Sequence, residues 1–458
     1  MNTGWQLQYL FLLSLCICFQ AERGIFDLIS LLRLFRQLRR PATARSAETR
    51  PRQTLLVLLP VLREQSLIEE TVLRFCEIDS QHFEIRVVVV TTEREELGGT
   101  ARTTEEVLLN SLKAGSLSRY RQRIHVFRDP NLNGNMATQV NYAIHQLIKA
   151  EPVETFYMLY NADSIVSATT FDALANLFQQ RRGNEFAIQQ PCAFVRDMRP
   201  DSKQFTNALS LYQSWYCLSH ESREIWAYEK KICKLGKRRG NTKLGVVVGH
   251  GSGMRLGTNI ENGGYPADLV TEDLTFGFIL SANSVPIILL PSLELADVPD
   301  EFIKFLRQKG TWFWNFLSYP RCYLTVRRNG HPRGQALPLL AQGVGAGAYW
   351  FFDTVFIMCP FLMSFLSDSF GLFLLSLMSV IVFYILPQYF LLKQLPEVLY
   401  AQGFPVVANH VRHVSFRRLF PSLCLIILTN SVGAWIATLN AGWYFFLGRE
   451  PIKYKTGD

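Results

Sequence analysis

The sequence lacks the cysteine spacing of a disulfide framework or a zinc site. Its 458 residues include 9 cysteines, but no CxxC pair and no Cys/His ligand spacing occurs. The cysteines are scattered through apolar and globular stretches, and Cys16 and Cys18 lie inside one apolar run. This pattern predicts free thiols and no zinc site.

Negative charge is also scarce, because 38 Asp and Glu face 47 Lys and Arg, giving a formal net charge of +9. A basic chain with 13% aromatic residues could bind nucleic acid. However, its Arg and Lys are not interleaved with aromatics along one segment, as a nucleic-acid groove requires. They cluster beside apolar runs, which favours membrane lipids as partners and no nucleic acid.

The N-terminal region lacks a small-residue cleavage site after its first apolar run, residues 7–19. Residues 21–24 interrupt the apolar pattern, and residues 31–40 then form a basic amphipathic segment. We therefore expect residues 1–53 to form an uncleaved anchor, an interfacial helix and, over 41–53, a polar linker.

Residues 54–299 alternate between strand and helix patterns. Predicted strands cover residues 54–60, 83–90, 123–127 and a run from 156, and predicted helices cover 69–75, 105–113 and 135–149. This alternation indicates an α/β domain with a mostly parallel sheet and flanking helices. Ligands of such sheets bind beyond the carboxyl ends of the strands. Pro60, Glu93, residues 131–135 and Asp163 all lie at such ends, and this convergence predicts a site.

The stretch of residues 156–164 begins as an apolar, aromatic strand and ends in a polar cluster. Asn161 and Asp163 are two residues apart, so at a strand end both side chains can point to the same side. A carboxylate there suits a divalent cation, Mg²⁺ or Mn²⁺, that is shared with a substrate's phosphates. The alternative is an ordinary strand-to-turn transition with Asn and Asp as turn formers.

The sequence changes character after residue 300. Residues 300–335 contain an amphipathic, Trp-rich segment that is typical of interfacial helices. Residues 336–458 then contain three apolar stretches that are each long enough to cross a bilayer: 345–366, 370–392 and 419–446.

Basic residues predict the membrane orientation. They lie before the first apolar stretch, between the second and third, and in the C-terminal tail: Arg327, Arg328 and Arg333; Arg412, Arg417 and Arg418; Lys453 and Lys455. By the positive-inside rule the first two groups, and hence the globular domain, face the cytoplasm. The tail would then lie outside, which conflicts mildly with its charge.

Together these residues resemble the membrane-bound members of glycosyltransferase family 2, the relatives of cellulose, hyaluronan and other polysaccharide synthases. The resemblance covers roughly residues 55–323 and depends on the order and spacing of six short motifs. The motifs are Leu59-Pro60-Val61 with Glu64, Asn133-Gly134-Asn135 with Asn141, Asn161-Ala162-Asp163-Ser164, Val248 to Gly253 with Arg255, Thr271-Glu272-Asp273, and Gln308 to Trp312. This resemblance implies a GT-A fold, which is a Rossmann-like nucleotide-sugar domain.

The resemblance also implies roles for the matched residues. Asp273 would be the base that takes the proton of the acceptor hydroxyl, with Glu272 beside it, and Asp163 would bind the metal. One base without a second nucleophilic carboxylate implies a single displacement with inversion. The implied nucleotide-sugar-binding residues are Pro60, Glu64, Glu93, Asn135, Asn141, Asn161 and Asp163. The implied acceptor-binding residues are Gly251, Ser252, Gly253, Gln308 and Trp312.

Some of these residues have plainer interpretations. Residues 271–273 could be a helix N-cap with acidic residues in the first turn. Trp312 could be an ordinary interfacial aromatic residue. His250 could be a loop histidine rather than a metal or phosphate ligand.

The chain departs from the family pattern at four places. Residues 91–95 stand where the family usually has an Asp that binds the base and ribose, and Glu93 is the substitute there. Asn161 replaces the first Asp of Asp-x-Asp, and Met136 replaces a Lys, so two charges near the donor are lost. Thr311 replaces the Arg of Gln-x-x-Arg-Trp, which weakens the case for processive polymerisation. The identity of the nucleotide therefore stays open.

We expect an integral-membrane, inverting, metal-dependent glycosyltransferase of a bacterial inner membrane, with a cytoplasmic catalytic domain. It would move a sugar from a nucleotide-sugar to a growing glycan or a lipid-linked saccharide in cell-envelope polysaccharide or glycolipid synthesis. The alternative is a catalytically inactive scaffold whose partners are other polysaccharide assembly proteins. A transporter is disfavoured, because the sequence shows no inverted repeats, interrupted helices or midplane charges.

Overall fold

The computed structural model describes residues 3–40, 52–98, 102–181, 185–235, 241–269 and 271–446. Most of the predicted linker, residues 41–51, lies outside these ranges, as do Lys453 and Lys455. The strands are β1 (Gln53–Pro60), β2 (Phe83–Thr92), β3 (Ile124–Asp129), β4 (Phe156–Leu159), β5 (Ala187–Gln189), β6 (Cys192–Ala193), β7 (Ser252–Arg255), β8 (Ile287–Leu289) and β9 (Glu294–Leu295).

The larger sheet has seven strands in the order β3-β2-β1-β4-β7-β5-β8. Neighbouring strands are parallel except at β7, which is antiparallel to both β4 and β5. Strands β6 and β9 form a separate parallel pair. The predicted α/β fold with a mostly parallel sheet is therefore confirmed.

The central strand β1 is buried on both faces because its apolar run is continuous. Alternating side chains enter two different hydrophobic cores: Leu56 and Leu58 pack on one side, and Leu55, Val57 and Leu59 on the other. All five are fully buried. A continuous apolar run is the pattern expected for a parallel strand that is covered by helices on both sides.

The helices of the α/β domain are α2 (Ile68–Glu77), α3 (Thr104–Ala114), α4 (Met136–Leu147), α5 (Ala168–Gln180), α6 (Gln204–Trp215), α7 (Ser222–Leu235), α8 (Leu256–Glu261) and α9 (Asp273–Ala282). The strands and helices that the sequence predicts here are present, with ends shifted by one or two residues. A π-helical turn, Tyr216–Glu221, joins α6 to α7.

The N-terminal helix α1 runs without a break from Thr3 to Leu38, so the predicted division into an anchor and a separate interfacial helix is wrong. Arg23 is satisfied inside the protein, because its guanidinium lies 3.0 Å from the Asp353 carboxylate. Gly24 permits close packing, since a Cβ there would lie 2.9 Å from Phe383. Contacts with other helices therefore stabilise Arg23 and Gly24 within a continuous helix.

The C-terminal region consists of α10 (Phe302–Arg328), α11 (Arg333–Leu366), α12 (Phe370–Val380), α13 (Leu386–Ala401), α14 (Pro405–Arg412), α15 (Phe416–Thr429) and α16 (Val432–Phe446). Within the described residues, three segments are long and apolar enough to cross a membrane: Arg333–Leu366, Phe370–Ala401 and Phe416–Tyr444. These correspond to the three predicted stretches.

The membrane region nevertheless contains a buried charge and an interrupted helix, contrary to the sequence prediction. Asp353 of α11 is fully buried and accepts hydrogen bonds from Tyr384 at 3.0 Å and from Asn430 at 3.2 Å. Asn430 and Ser431 form the break between α15 and α16. The polar groups of the break thus find partners on α11, as hydrocarbon surroundings require.

Cysteine labelling can test the orientation of the membrane region. A cysteine at Ser415, between α14 and α15, should not react with an impermeant maleimide in intact cells, because Arg412, Arg417 and Arg418 hold this loop inside. The matched control is Asp368→Cys in the turn before α12, which should react. Labelling of the Ser415→Cys variant from outside would contradict the predicted topology.

Candidate active site

A cavity of about 710 Å³ lies beyond the carboxyl ends of β1 and β4. Pro60 ends β1, and Asn161 and Asp163 follow β4; all three line the cavity. Residues of α10 and the Trp350 side chain of α11 close the opposite side. The cavity therefore lies between the parallel sheet and the membrane-associated helices.

The loop after β4 holds Asp163 by its backbone and by a neighbouring loop. Arg196 donates to the Asp163 carbonyl at 3.1 Å, and the Asp297 backbone N–H donates to the Asp163 carboxylate at 3.3 Å. Asp197 and Asp297 also line the cavity. Three carboxylates thus border the cavity near the end of β4.

Asp297 carries a strongly perturbed carboxyl group. Burial, opposed by the Arg196 guanidinium at 3.0 Å and reinforced by Asp197 and Asp163, raises the pKa of Asp297 to about 7. Among the described residues, no hydrogen-bond partner reaches its buried Oδ1 atom. Carboxylate oxygens are the ligands that Mg²⁺ and Mn²⁺ prefer, so this donor set fits the predicted divalent metal.

Asp273, the first residue of α9, also lines the cavity. Its carboxylate accepts a hydrogen bond of 2.9 Å from the Gly249 backbone N–H. Glu272 beside it also lines the cavity but is buried. The helix N-cap is Glu272 and makes no side-chain capping bond, so the capping interpretation of Thr271 is not supported.

Three further predicted donor-side residues line the cavity: Pro60, Glu64 and Asn135. The Asn135 side chain is also the N-cap of α4, where it accepts from the Thr138 N–H at 3.1 Å. Its amide donates to the Ala267 carbonyl at 3.0 Å. Asn135 therefore caps α4 and stabilises the loop at Ala267, in addition to lining the cavity.

Two other predicted donor-side residues, Glu93 and Asn141, lie outside the cavity lining. Glu93 pairs with Arg128, with 3.6 Å between the charged groups. Asn141 accepts from the Tyr265 N–H at 2.9 Å and donates to its carbonyl at 2.8 Å. The structure places Thr92 and Arg94, rather than Glu93, against the cavity.

The predicted acceptor residues Gly251, Ser252 and Gly253 do not line the cavity either. Gly251 has a φ of +62°, and a Cβ there would lie 2.5 Å from the Glu294 carboxylate. Gly253 packs against β4, where a Cβ would lie 2.4 Å from the Met158 sulfur. The structure thus gives these glycines a packing role.

The remaining predicted acceptor residues, Gln308 and Trp312, both line the cavity from α10. The Gln308 carbonyl accepts from the Gln213 amide at 2.7 Å. Asn315 lies about one helical turn after Trp312 on α10, and it is also buried and lines the cavity. No described residue hydrogen-bonds to its Oδ1 atom. This side of the cavity can therefore present a ring face and polar groups to a ligand.

Glu221 was not among the predicted residues, although it lines the cavity from the π-helical turn. Burial raises its pKa, although His250 opposes the shift. A π-helical turn inserts one extra residue and is often found at functional sites. Only an i→i+5 hydrogen-bonding pattern, which residue identity does not reveal, could have identified it.

A cluster of metal-ligating side chains lies beside the cavity and was not predicted. Ligand atoms of Cys192, His250 and Glu294 all lie within 4.8 Å of one another. The His250 Nδ1 atom lies 3.0 Å from the Glu294 carboxylate. Burial opposes protonation, but Glu294 outweighs it and raises the pKa of His250 to about 9. The three residues come from distant parts of the chain, so sequence spacing could not show the cluster.

No family model and no curated protein matches the chain. Solved structures similar to it include the mannosyltransferase PcManGT from Pyrobaculum calidifontis in complex with GDP-Man and Mn²⁺, at 15% identity and TM-score 0.42, over 91% of this chain and 99% of that one. They also include S. aureus TarS 1-349 in complex with UDP-GlcNAc, at 13% identity and TM-score 0.38, over 78% and 90%. Similarity at this level does not identify a reaction.

Lys309, one position before Gly310 on α10, is buried among aromatic rings. Its Nζ lies 4.1 Å from the Trp312 ring centroid and 5.6 Å from that of Trp350. Burial, opposed by Cys217 and Glu221, lowers the pKa of Lys309 to about 7.

This shift predicts how stability depends on pH. Above pH 7 and up to about 10.4, the unfolded chain carries a proton on Lys309 that the folded chain lacks, so the free energy of unfolding rises with pH. From pH 7 to pH 9 wild type should gain up to about 2 kcal/mol relative to Lys309→Met, measured by thermal unfolding in detergent.

The matched control is Lys304→Met, which removes a lysine from the same helix that pairs with Asp300 at 3.0 Å. Its effect on stability should be nearly constant between pH 7 and pH 9. Parallel pH profiles for wild type and Lys309→Met would show that Lys309 titrates normally in the folded protein.

Proposed function

We propose that this chain is an integral-membrane, inverting glycosyltransferase of the GT-A, family 2-like type. It transfers a sugar from a nucleotide-sugar donor to a growing glycan or a lipid-linked saccharide. The observation that carries this proposal is that Asp163, which follows the parallel strand β4, and Asp273 both line one cavity beyond the carboxyl ends of β1 and β4. Nucleotides bind at that edge of open α/β sheets.

The donor side would hold the nucleotide diphosphate. Asp163, with Asp197 and Asp297 nearby, offers the oxygen ligands for Mg²⁺ or Mn²⁺. A bound divalent metal would neutralise the charge of the departing diphosphate. Pro60, Glu64 and Asn135 border the space beside this cluster, where the nucleotide would lie.

Asp273 is the proposed base. The Gly249 N–H fixes one of its carboxylate oxygens at 2.9 Å and so orients the carboxylate. Removal of the proton from the acceptor hydroxyl makes that oxygen a better nucleophile at the anomeric carbon. A single displacement of this kind inverts the configuration of the anomeric carbon.

The acceptor side would be formed by α10 and α11. Trp312 can stack on a sugar ring, and Gln308 and Asn315 offer polar groups beside it. Because Trp350 belongs to a candidate membrane-spanning helix, the cavity reaches the membrane-associated part of the molecule. This position suits an acceptor that is attached to, or emerges at, the membrane.

We further propose the division into an anchor (1–53), a cytoplasmic GT-A domain (54–299), interfacial helices (300–335) and a membrane region (336–458). The proposed location is a bacterial inner membrane, where the enzyme would serve cell-envelope polysaccharide or glycolipid synthesis. The positions of the basic loops support the cytoplasmic placement of the catalytic domain.

A catalytically inactive scaffold is the second candidate. It is favoured by the loss of two donor-side charges, since Asn161 and Met136 line the cavity where the family has Asp and Lys. The retained carboxylates at Asp163 and Asp273 favour the enzyme. Binding without turnover, or no binding, would identify the scaffold.

Replacing Asp163 tests the donor site. Asp163→Ala should weaken metal-assisted binding of a nucleoside diphosphate at least about tenfold, because a charged metal ligand is lost. Isothermal titration calorimetry with and without Mn²⁺ measures this, and Asp201→Ala, at an exposed position, is the control. Equal metal-assisted affinity in both variants would refute the assignment.

Replacing Asp273 tests the base. Asp273→Asn keeps the shape and can still accept the Gly249 hydrogen bond, but it cannot take a proton. Turnover of the donor should fall by about a hundredfold or more, with donor affinity nearly unchanged. Release of nucleoside diphosphate gives the rate. Turnover near that of wild type would remove Asp273 from the mechanism.

A further inference from the structure

Glu294 is a fully buried carboxylate beneath the cavity, and no sequence motif identified it. It lies on β9, whose register with β6 places it opposite Cys192. Within the described part of the chain, its ion-pair partner is His250. Burying a carboxylate costs free energy unless its oxygens are hydrogen-bonded. The hydrogen-bond partners of Glu294 therefore indicate its role.

One oxygen of Glu294 holds the loop of Asp163. The Ser164 hydroxyl donates to Oε1, and the same hydroxyl accepts from the Asn161 N–H at 3.0 Å. The Ser164 N–H also bonds to the Asn161 carbonyl at 3.2 Å. Asp163 lies between these two residues, so the bond to Glu294 fixes the turn that carries it.

The other oxygen of Glu294 holds the turn that orients Asp273. The His250 Nδ1 atom lies 3.0 Å from Oε2. His250 directly follows Gly249, whose N–H binds the Asp273 carboxylate at 2.9 Å. Gly251 follows with a φ of +62° and lets the turn approach Oε2 closely. One carboxylate therefore contacts both the Asp163 loop and the turn that binds Asp273.

We propose that Glu294 is a positioning residue that fixes the Asp163 loop and the Gly249–His250 turn relative to each other. The proposal deepens the proposed function and its catalytic part depends on that function. Transfer requires the donor and the base to be held in register, and displacements of about 1 Å can cost about a hundredfold in rate. The Ser164 contact of Glu294 acts on the loop of the proposed metal ligand, and the His250 contact acts on the turn that orients the proposed base.

The same three side chains, Cys192, His250 and Glu294, could instead bind a metal ion such as Zn²⁺. Both Glu294 oxygens already have protein partners, at Ser164 and His250. The positioning role therefore accounts for the buried charge with the chain's own groups. Metal analysis distinguishes the two roles.

The experiment compares variants that remove one or both of the contacts that Glu294 makes with Ser164 and His250. Ser164→Ala should raise the dissociation constant of GDP or UDP with Mn²⁺ about tenfold, with turnover of bound donor little changed. His250→Gln should lower turnover about tenfold with little change in that dissociation constant. Glu294→Ala should show both effects, and Glu294→Gln should retain much of the nucleotide affinity, because its carbonyl can accept from Ser164.

The matched control is Ser292→Ala, at a position two residues before Glu294. This change removes a buried hydrogen bond of 2.8 Å between Ser292 and Thr170 of α5. It should change neither binding nor turnover. Uniform losses in all variants, including Ser292→Ala, would reduce Glu294 to a general stability role. One equivalent of zinc in wild type that is lost in Glu294→Ala would establish a metal site and overturn the proposal.

A second measurement does not depend on the proposed function. Hydrogen–deuterium exchange in peptides covering residues 161–165 and 248–252 should rise together in Glu294→Ala and stay unchanged in Ser292→Ala. Unchanged exchange in both peptides would overturn the positioning role. If the linkage is present but wild type binds no nucleotide, the proposed function fails and the linkage stands.

Discussion

The pairing of β1 with β4 is the constraint on which the rest of the site depends. Because the two strands are parallel and in register from Leu55–Phe156 to Leu58–Leu159, their carboxyl ends meet at one edge. Pro60 and Asp163 are thereby brought to the same cavity. A shift of one residue would turn every buried side chain of β1 to the opposite core. The register of this strand pair thus sets the position of the polar site.

The other half of the site depends on the membrane-associated helices. Residues of α10 and Trp350 line the cavity together with Asp273, and α1 forms buried ion pairs with the π-helical turn and α7. Asp27 of α1 lies 3.2 Å from Arg223 and 3.6 Å from His220, which neighbours the cavity residue Glu221. Removing one partner of a buried charged pair typically costs about 3–5 kcal/mol. The π-helical turn therefore connects α1 to the cavity.

Much of the fold could be predicted because it follows from periodicity. The strands around β1 and the apolar helices are visible as runs of buried residue types. The continuous α1 could not be predicted, because Arg23 and Gly24 look like a break until Asp353 and Phe383 supply their contacts. Long-range partners, absent from local sequence, decided that helix.

The site was predictable to the extent that its residues follow a strand end, begin a helix or share one face of a helix. Asp163, Asp273, Gln308 and Trp312 line the cavity in agreement with the motifs. Gly251 and Gly253 have a close-packing role, which a motif cannot distinguish from ligand contact. Glu221 and Glu294 were missed because a π-helical turn and a two-residue strand leave no periodic pattern.

The most direct test of this account is a thermal-shift screen of the purified protein in detergent against nucleotides and nucleotide-sugars, with and without Mn²⁺ or Mg²⁺. A ligand that binds only the folded state adds about 2.7 kcal/mol at a hundred times its dissociation constant, which such a screen detects. The account predicts stabilisation by at least one nucleotide-sugar that requires the metal. A well-folded protein that no ligand of the panel stabilises would contradict it.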